Sequence, residues 1–336
     1  MALTVADLFR DHAEHEAERR SPLMQALLLG AADDWDAGGI SRTVLEPFAD
    51  DPPGSALPLR FAAALHRLVL TGQAPELAAH YPTAGGTAAP ERAWAPAQRV
   101  LGRETAQVRA LTGQPCQTNE VGRTVPLLVG LAEVTRRTGG PLHLLEIGAS
   151  AGLNLLVDRF RFGEVWGPPE SPCRLPDPGV PLEPDGVRIV ERAGCDPAPL
   201  DPGDDEDRLR LSASVWGDQV ERFHRLRGAL EVAGASRVPV ERAGAAEWLT
   251  RRLDARPAAR GGVPVVWHSI VRTYVDPEEW RQVEELTARS GVWRLAYEPD
   301  REPDPRGVPL RLFGPGTDPA GDVLVHGTGH GPPLSR

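Results

Sequence analysis

Short runs of apolar residues, each bounded by glycine, proline or polar residues, recur through the second part of the chain. They cover residues 142–147, 187–191, 238–241, 263–269, 292–297, 308–313 and 322–326. Continuous apolar runs of this length are typical of strands whose two faces are both covered. The pattern therefore predicts a seven-stranded sheet, in which the last two strands are close enough along the chain to pair as an antiparallel hairpin.

The first part of the chain has helical rather than strand periodicity. Ser21 and Pro22 resemble a helix N-cap followed by proline at the first helical position, and further apolar-faced helices are predicted over 58–70, 74–80 and 94–111. We predict an all-α cap region over residues 1–115. An α/β domain over residues 116–336 follows it, with helices or long connections between most of the strands.

The stretch 141–162 is the most informative part of the sequence. A buried strand ends at Ile147, the small residues of 148–152 follow, and Leu153 begins a run with helical spacing up to Phe160. Strand, tight turn and helix form the first unit of nucleotide-binding α/β sheets. Small residues let a ligand approach the backbone, and we expect the amides of the helix N-terminus to point at it.

The motif in this turn is Glu146-x-Gly148-x-Ser150-x-Gly152, which differs from the dinucleotide fingerprint G-x-G-x-x-G. S-adenosylmethionine (SAM) has a cationic sulfonium and an ammonium group, so an acidic residue at the strand end is favourable for it. The motif favours SAM over NAD. A tight strand-to-helix turn that binds no ligand is the structural alternative.

The same residues also match the G-x-S-x-G nucleophile elbow of α/β-hydrolases, with Ser150 as the nucleophile. Asp196 or Glu298 with His326 or His330 would complete the order serine, acid, histidine. An acidic residue four positions before the serine disfavours this alternative, because it would raise the cost of an oxyanion.

The composition narrows the class of partner. The chain has 37 basic and 47 acidic residues and a net charge of -10, which disfavours binding to nucleic-acid phosphates. Three widely spaced cysteines indicate neither a disulfide framework nor a zinc site, so we predict no metal. No segment resembles a signal peptide or a membrane span, and we expect a cytoplasmic protein acting on a small molecule.

Three further regions of the chain contain candidates for ligand contacts. Glu120 and Arg123 lie in a polar segment before a predicted helix. This segment is either an N-terminal cap, with Thr118 or Asn119 as the N-cap and Glu120 favourable in the first turn, or it faces the ligand, where Glu120 and Arg123 would orient an acceptor. Asp196 follows the second strand, where a carboxylate can either bind ribose hydroxyls or be a solvated loop acid. Glu191 is the second choice for the same role. His268 ends the fourth strand and is either a general base or a core histidine.

Five strings carry a resemblance to a known family: QTNEVGR, LLEIGASAGLNLLVDRF, GCDPAPLD, SVWGDQ and VVWHS. In order and spacing they resemble family 2332 of the domains of unknown function, over about Phe61 to His326. The resemblance implies a Rossmann-like fold similar to SAM-dependent methyltransferases, with an additional helical N-terminal region. This chain has Gly244 where related sequences tend to have an acidic residue that contacts adenine, although Glu247 lies nearby.

These observations together predict a SAM-dependent methyltransferase with an unknown small-molecule acceptor. The predicted methionine and ribose cradle consists of Glu146, Gly148, Ala149, Ser150 and Gly152. Two more residues complete the predicted cofactor site, Asn154 and Asp196. A SAM- or nucleotide-binding protein without catalytic activity is the other possibility on the same fold.

Overall fold

The chain forms two compact units in a computed structural model. The structure describes residues 4–17, 20–255, 261–289, 291–302 and 304–336. The first unit contains residues 1–118 and 204–224, and the second contains 119–203 and 225–336. The first unit therefore extends three residues beyond the expected boundary at 115 and includes a segment from much later in the chain.

The described part of the first unit contains helices and no strands. Helix α2 begins as the sequence predicts, with the Ser21 hydroxyl accepting a 3.0 Å hydrogen bond from the Met24 amide and Pro22 at the first helical position. The helices are α1 (Val5–His12), α2 (Pro22–Asp36), α3 (Ile40–Leu45), α4 (Leu57–Leu70), α5 (Pro75–Ala78), α6 (Trp94–Arg103), α7 (Thr105–Thr112) and α9 (Asp205–Ala213).

The late segment of the first unit is attached by polar contacts to its early helices. Asp218 accepts hydrogen bonds from the Ser21 hydroxyl at 2.6 Å and from the Leu23 amide at 3.1 Å. His66 in α4 lies with its Nδ1 2.8 Å from the carbonyl of Val215. Asp218 thus stabilises the N-terminus of α2.

The second unit is a mixed α/β fold built on an eight-stranded, mostly parallel sheet. Its strand order is β10-β9-β8-β7-β6-β1-β4-β5, and β8 and β9 form the expected antiparallel pair. The main strands are β1 (Leu142–Ile147), β4 (Ile189–Asp196), β5 (Val240–Arg242), β6 (Val263–Ser269), β7 (Trp293–Tyr297), β8 (Val308–Phe313), β9 (Asp322–Thr328) and β10 (Gly331–Ser335).

The expected number of seven strands was therefore one too low. The extra strand β10 contains Pro332 and Pro333, and prolines argue against a central strand because they donate no ladder hydrogen bond. Strand β10 pairs only with β9 and lies at the edge of the sheet, where proline is tolerated. The hydrophobic pattern therefore does not predict this proline-containing edge strand.

Helices cover both faces of the sheet. Helices α11 (Ala245–Asp254) and α12 (Pro277–Thr287) pack in one apolar cluster with Leu145 and Ile147 of β1. Helix α8 (Thr124–Thr138) lies on the opposite face, where a Cβ on Gly130 would be 2.5 Å from Leu295. Helix α10 (Val220–Ala235) begins in the first unit and ends in the second. No described helix is long and apolar enough to cross a membrane.

A helix follows the small-residue turn as predicted, but it is of the 3₁₀ type. Residues Leu153–Arg159 form a 3₁₀ helix, and Leu156 departs from helical geometry at φ -97° and ψ 18°. A short 3₁₀ segment has poorer alignment of its peptide dipoles than an α-helix. Two short strands, β2 (Arg161–Phe162) and β3 (Arg174–Leu175), follow and pair in parallel.

Candidate binding site at the carboxyl ends of the strands

The candidate site lies where the strand order of the sheet changes direction. Strand β1 is flanked by β4 on one side and β6 on the other, and both pair with it in parallel. The chain moves outward from β1 through β4 to β5 and then returns to place β6 on the other side. In open α/β sheets, ligands bind outside the carboxyl ends of the strands at such a point.

The turn after β1 contains three residues with left-handed backbone conformations. The φ angles are 68° at Gly148, 52° at Ser150 and 72° at Gly152. A Cβ on Gly148 would lie 2.4 Å from Val271 Cγ2, and one on Gly152 would lie 2.8 Å from Val240 Cγ2. Both glycines are therefore required by backbone geometry and packing, whether or not a ligand binds.

Asp196 holds the turn in this shape. Its Oδ2 accepts a 3.0 Å hydrogen bond from the Ser150 amide, and its Oδ1 accepts a 2.8 Å bond from the Ala198 amide. The structure therefore joins the end of β4 to the turn after β1 through one carboxylate. The contact of Asp196 with ribose hydroxyls, predicted from the sequence, stays a prediction.

Glu146 is buried beside the turn. The side chain of Asn154 donates a 3.1 Å hydrogen bond to its Oε1. Burial is the main cause that raises the pKa of Glu146 to about 8, and the nearby charge of Asp196 raises this pKa further. The Asn154 amide and the Trp267 indole oppose the shift. Glu146 therefore exists mostly as a neutral carboxylic acid at pH 7.

Three side-chain atoms in this cluster are buried without a hydrogen-bond partner in the described part of the chain. They are Glu146 Oε2, Ser150 Oγ and Asn154 Oδ1. Nearly all buried polar atoms in folded proteins are hydrogen-bonded, and leaving one unsatisfied costs about 1–3 kcal/mol. Three such buried atoms lie on one turn and its flanking elements, and a ligand that reached them could form the missing hydrogen bonds.

Residues 119–123 contact the same region through the backbone. Asn119 Oδ1 accepts a 3.0 Å hydrogen bond from the Leu153 amide, and Glu120 Oε1 accepts one of 3.0 Å from the Gly122 amide. Arg123 donates to the carbonyls of Gly329 and Ser269, each at 3.0 Å. Glu120 therefore acts as a cap, and Arg123 joins β6 to the turn before β10.

His268 lies on the other face of the sheet from Glu146. The register pairs it with Ile147, whereas Glu146 pairs with Trp267, and successive side chains of a strand point to opposite faces. His268 Nδ1 is 2.9 Å from Glu298 Oε1, and its ring stands edge-on to Trp280 at 4.9 Å. Burial lowers the pKa of His268, although Glu298 opposes the shift. The structure does not bring His268 together with Glu146.

Sequence reasoning missed some contributors to the two faces. The sequence suggests Glu298, directly after β7, only as the acid of a hydrolase, and it gives no sign of the contact between Glu298 and His268. Near Gly244, the carboxylate that accepts from the Ala246 amide at 3.2 Å belongs to Glu279. Glu247, the candidate named from the sequence, is exposed and pairs with Arg251.

Among the described residues, no group of three or more histidine, cysteine or acidic side chains is placed to hold a metal ion.

Comparison with known proteins confirms the family suggested by the motifs. Neither a curated protein nor a solved structure matches the chain. Residues 6–336 match the family model described as an uncharacterised protein conserved in bacteria. With nearly its whole length matched, the chain belongs to this family, DUF2332.

Proposed function

We propose that the second unit binds SAM and transfers its methyl group to a small-molecule acceptor. The observation that carries the proposal is the set of three buried, unsatisfied polar atoms on Glu146, Ser150 and Asn154. They lie beside the carboxyl end of β1 at the change of strand direction, which is the usual ligand position in such sheets.

The strand order supports a nucleotide-type ligand. Strands β5-β4-β1-β6-β7 follow the 3-2-1-4-5 order of doubly wound dinucleotide-binding sheets, and all four adjacent pairs among them are parallel. Strands β8, β9 and β10 extend this core in antiparallel fashion. This order supports the proposal of a Rossmann-like core, to which the antiparallel extension adds three strands.

The proposed roles follow from the chemistry of the unsatisfied atoms. Ser150 Oγ and Asn154 Oδ1 accept hydrogen bonds from the ligand, and Glu146 binds a cationic group. SAM, when bound, supplies a methyl group already activated on a sulfonium. The protein's contribution is to position and desolvate the reactants. A cation beside Glu146 favours the ionised carboxylate, so binding at pH 7 releases a proton from this residue.

Isothermal titration with SAM and S-adenosylhomocysteine tests the proposal. We expect micromolar binding to the wild type, with net proton release when SAM is titrated in buffers of different ionisation enthalpy. Ser150→Ala removes an unsatisfied hydroxyl without changing the backbone requirement and should weaken binding at least about tenfold. Glu146→Gln should abolish the proton release.

The exposed Ser335, in the edge strand β10, provides a matched serine control. Ser335→Ala should bind SAM with wild-type affinity. If neither ligand binds the wild type at millimolar concentration, the cofactor assignment is wrong. Binding that is equal in the wild type and in Ser150→Ala would place the ligand elsewhere.

The strained serine favours one second candidate, a hydrolase with Ser150 as nucleophile. A φ of 52° at a serine in a strand-to-helix turn is the type of strain found at nucleophile elbows. In the described residues, however, no imidazole forms a hydrogen bond with Ser150 Oγ. Covalent labelling of the wild type, but not of Ser150→Ala, by a fluorophosphonate would favour the hydrolase over the methyltransferase.

A further inference from the structure

We propose that a cleft in the helical first unit binds the carboxylate or phosphate group of a small ligand. This arginine cleft is lined by Arg60, Arg67, Arg210, Gln114, Cys116 and Ser214, together with small apolar residues. Its cavity volume is about 20 Å³, which is room for about one water-sized group such as a single ligand oxygen, and the cleft is partly open to solvent. None of its lining residues is acidic, although the whole chain has a net charge of -10.

Two guanidinium groups in the arginine cleft have unsatisfied N–H groups. Arg67 Nη1 and Arg210 Nε are buried and have no hydrogen-bond partner in the described ranges of the chain. Arg67 is held through its Nη2 by Glu206, and Arg210 is held through its Nη2 by the Pro115 carbonyl at 3.1 Å. Both side chains are therefore anchored at one nitrogen, and each has a second nitrogen without a described hydrogen-bond partner.

Arg60 adds a fixed positive charge to the same cleft. Its Nε donates a 2.7 Å hydrogen bond to the Thr112 carbonyl, and its Nη1 lies 2.5 Å from Asp51 Oδ2. The guanidinium also stacks 5.0 Å from the centre of the Phe48 ring. With 8 % of its side chain exposed, Arg60 is preorganised by the protein before any ligand arrives.

The charge balance identifies the ligand as an anion. Asp51 and Glu206 offset Arg60 and Arg67, whereas Arg210 forms no ion pair with a described carboxylate. Guanidinium groups match the geometry of carboxylates and phosphates and are their preferred partners in buried sites. Because every residue of the arginine cleft belongs to the first unit, this inference is independent of the proposed SAM site.

Titration of the full-length protein with inorganic phosphate and with acetate, in a chloride-free buffer of low ionic strength, tests the inference. We expect millimolar or tighter binding of at least one anion, and the preferred anion identifies a phosphate or a carboxylate ligand. Arg210→Gln should weaken that binding at least tenfold. Arg174→Gln is the matched control, because Arg174 likewise donates to a proline carbonyl, that of Pro169 at 3.0 Å, outside the cleft.

Cys116 gives a second measurement that locates the anion. It lines the arginine cleft and is partly exposed, whereas Cys173 and Cys195 are buried. Phosphate or acetate should slow the labelling of Cys116 by N-ethylmaleimide in the wild type and in Arg174→Gln, but not in Arg210→Gln. Absence of anion binding by the folded wild type overturns the inference. Equal affinity of wild type and Arg210→Gln, or binding without protection of Cys116, also overturns it.

Discussion

Two buried ionisable side chains in neighbouring strands are both biased toward their neutral forms. Burial raises the pKa of Glu146 and lowers that of His268, because an apolar environment disfavours the charged form of either group. The strand register places the two on opposite faces of the sheet. Each pKa therefore reports on a different environment, and a substitution near one residue can change its pKa without changing that of the other.

The stability of the protein should depend on the protonation of Glu146. Its folded pKa of about 8 exceeds the ordinary value of 4.5, so the folded state binds more protons than the unfolded state between these pH values. The contribution of Glu146 to the free energy of unfolding therefore falls as pH rises from 4.5 to 8. Glu146→Gln stays neutral and should exceed the wild type in stability by an amount that grows over this range, to about 1–4 kcal/mol above pH 8.

Urea unfolding of both proteins from pH 5 to 9 measures this difference, and all unchanged groups cancel in the comparison. A difference that is independent of pH would contradict the raised pKa of Glu146. The same variant keeps an oxygen acceptor for the Asn154 amide, so loss of that hydrogen bond does not complicate the result.

His268 should respond to the charge of Glu298. At pH 7 we expect a neutral ring with its proton on Nδ1, which faces Glu298 Oε1 at 2.9 Å. Glu298→Gln removes the charge that favours the imidazolium and should lower the pKa of His268 further. Nitrogen-15 NMR of labelled histidine across pH measures the tautomer and the pKa. Glu247→Gln is the surface control; an unchanged pKa in Glu298→Gln would refute the coupling.

At the scale of elements, the turn after β1 determines the shape of the candidate site. Its sequence predicts strand, turn and helix, and the third element is a 3₁₀ helix interrupted at Leu156. The Asn119 side chain caps this segment at Leu153, and Asp196 holds the turn from β4. Contacts from distant parts of the chain thus replace the helix N-terminus that local spacing suggested.

Alanine substitution in this turn should be costly for two separable reasons. Gly148→Ala imposes a left-handed φ and a 2.4 Å contact with Val271, whereas Gly38→Ala imposes a similar φ of 72° with no atom within 4 Å. We expect losses in unfolding free energy of about 3 kcal/mol or more and about 1 kcal/mol, respectively. Val271→Ala should restore part of the loss in Gly148→Ala, as denaturant unfolding will show. Equal losses at both glycines would rule out the packing contribution.

At the scale of the molecule, the first unit is assembled from two distant pieces of sequence. Residues 204–224 return to it after only β1 and β4 of the eight-stranded sheet. Asp218 joins the returning segment to the N-terminus of α2 through Ser21 and Leu23. This unit therefore depends on contacts between residues almost two hundred positions apart.

Removal of the Asp218 carboxylate should weaken the first unit. Asp218→Ala leaves the Leu23 amide without this acceptor, and we expect a loss of about 1–3 kcal/mol in unfolding free energy. Amide hydrogen exchange in the first turn of α2 should accelerate, with the amides of β8 as the internal reference. Asp218→Asn retains one oxygen acceptor and should have a smaller effect. Unchanged exchange in α2 would show that the contact contributes nothing to stability.

The sequence by itself determined the family, the α/β class, the start of α2 and seven of the eight strands of the main sheet. These features depend on local patterns, since burial periodicity and helix caps are properties of neighbouring residues. It also identified Glu146 and Asp196 near the turn, because acids at strand ends are visible in the pattern.

Only the tertiary structure decided which of these residues meet. Strand register placed His268 and Glu146 on opposite faces, and a proline-containing edge strand completed the sheet. Asp218, Glu279 and the arginines of the cleft acquired their roles from partners far away in the sequence. These contacts depend on how the elements pack in three dimensions, so the spacing of residues along the chain does not predict them.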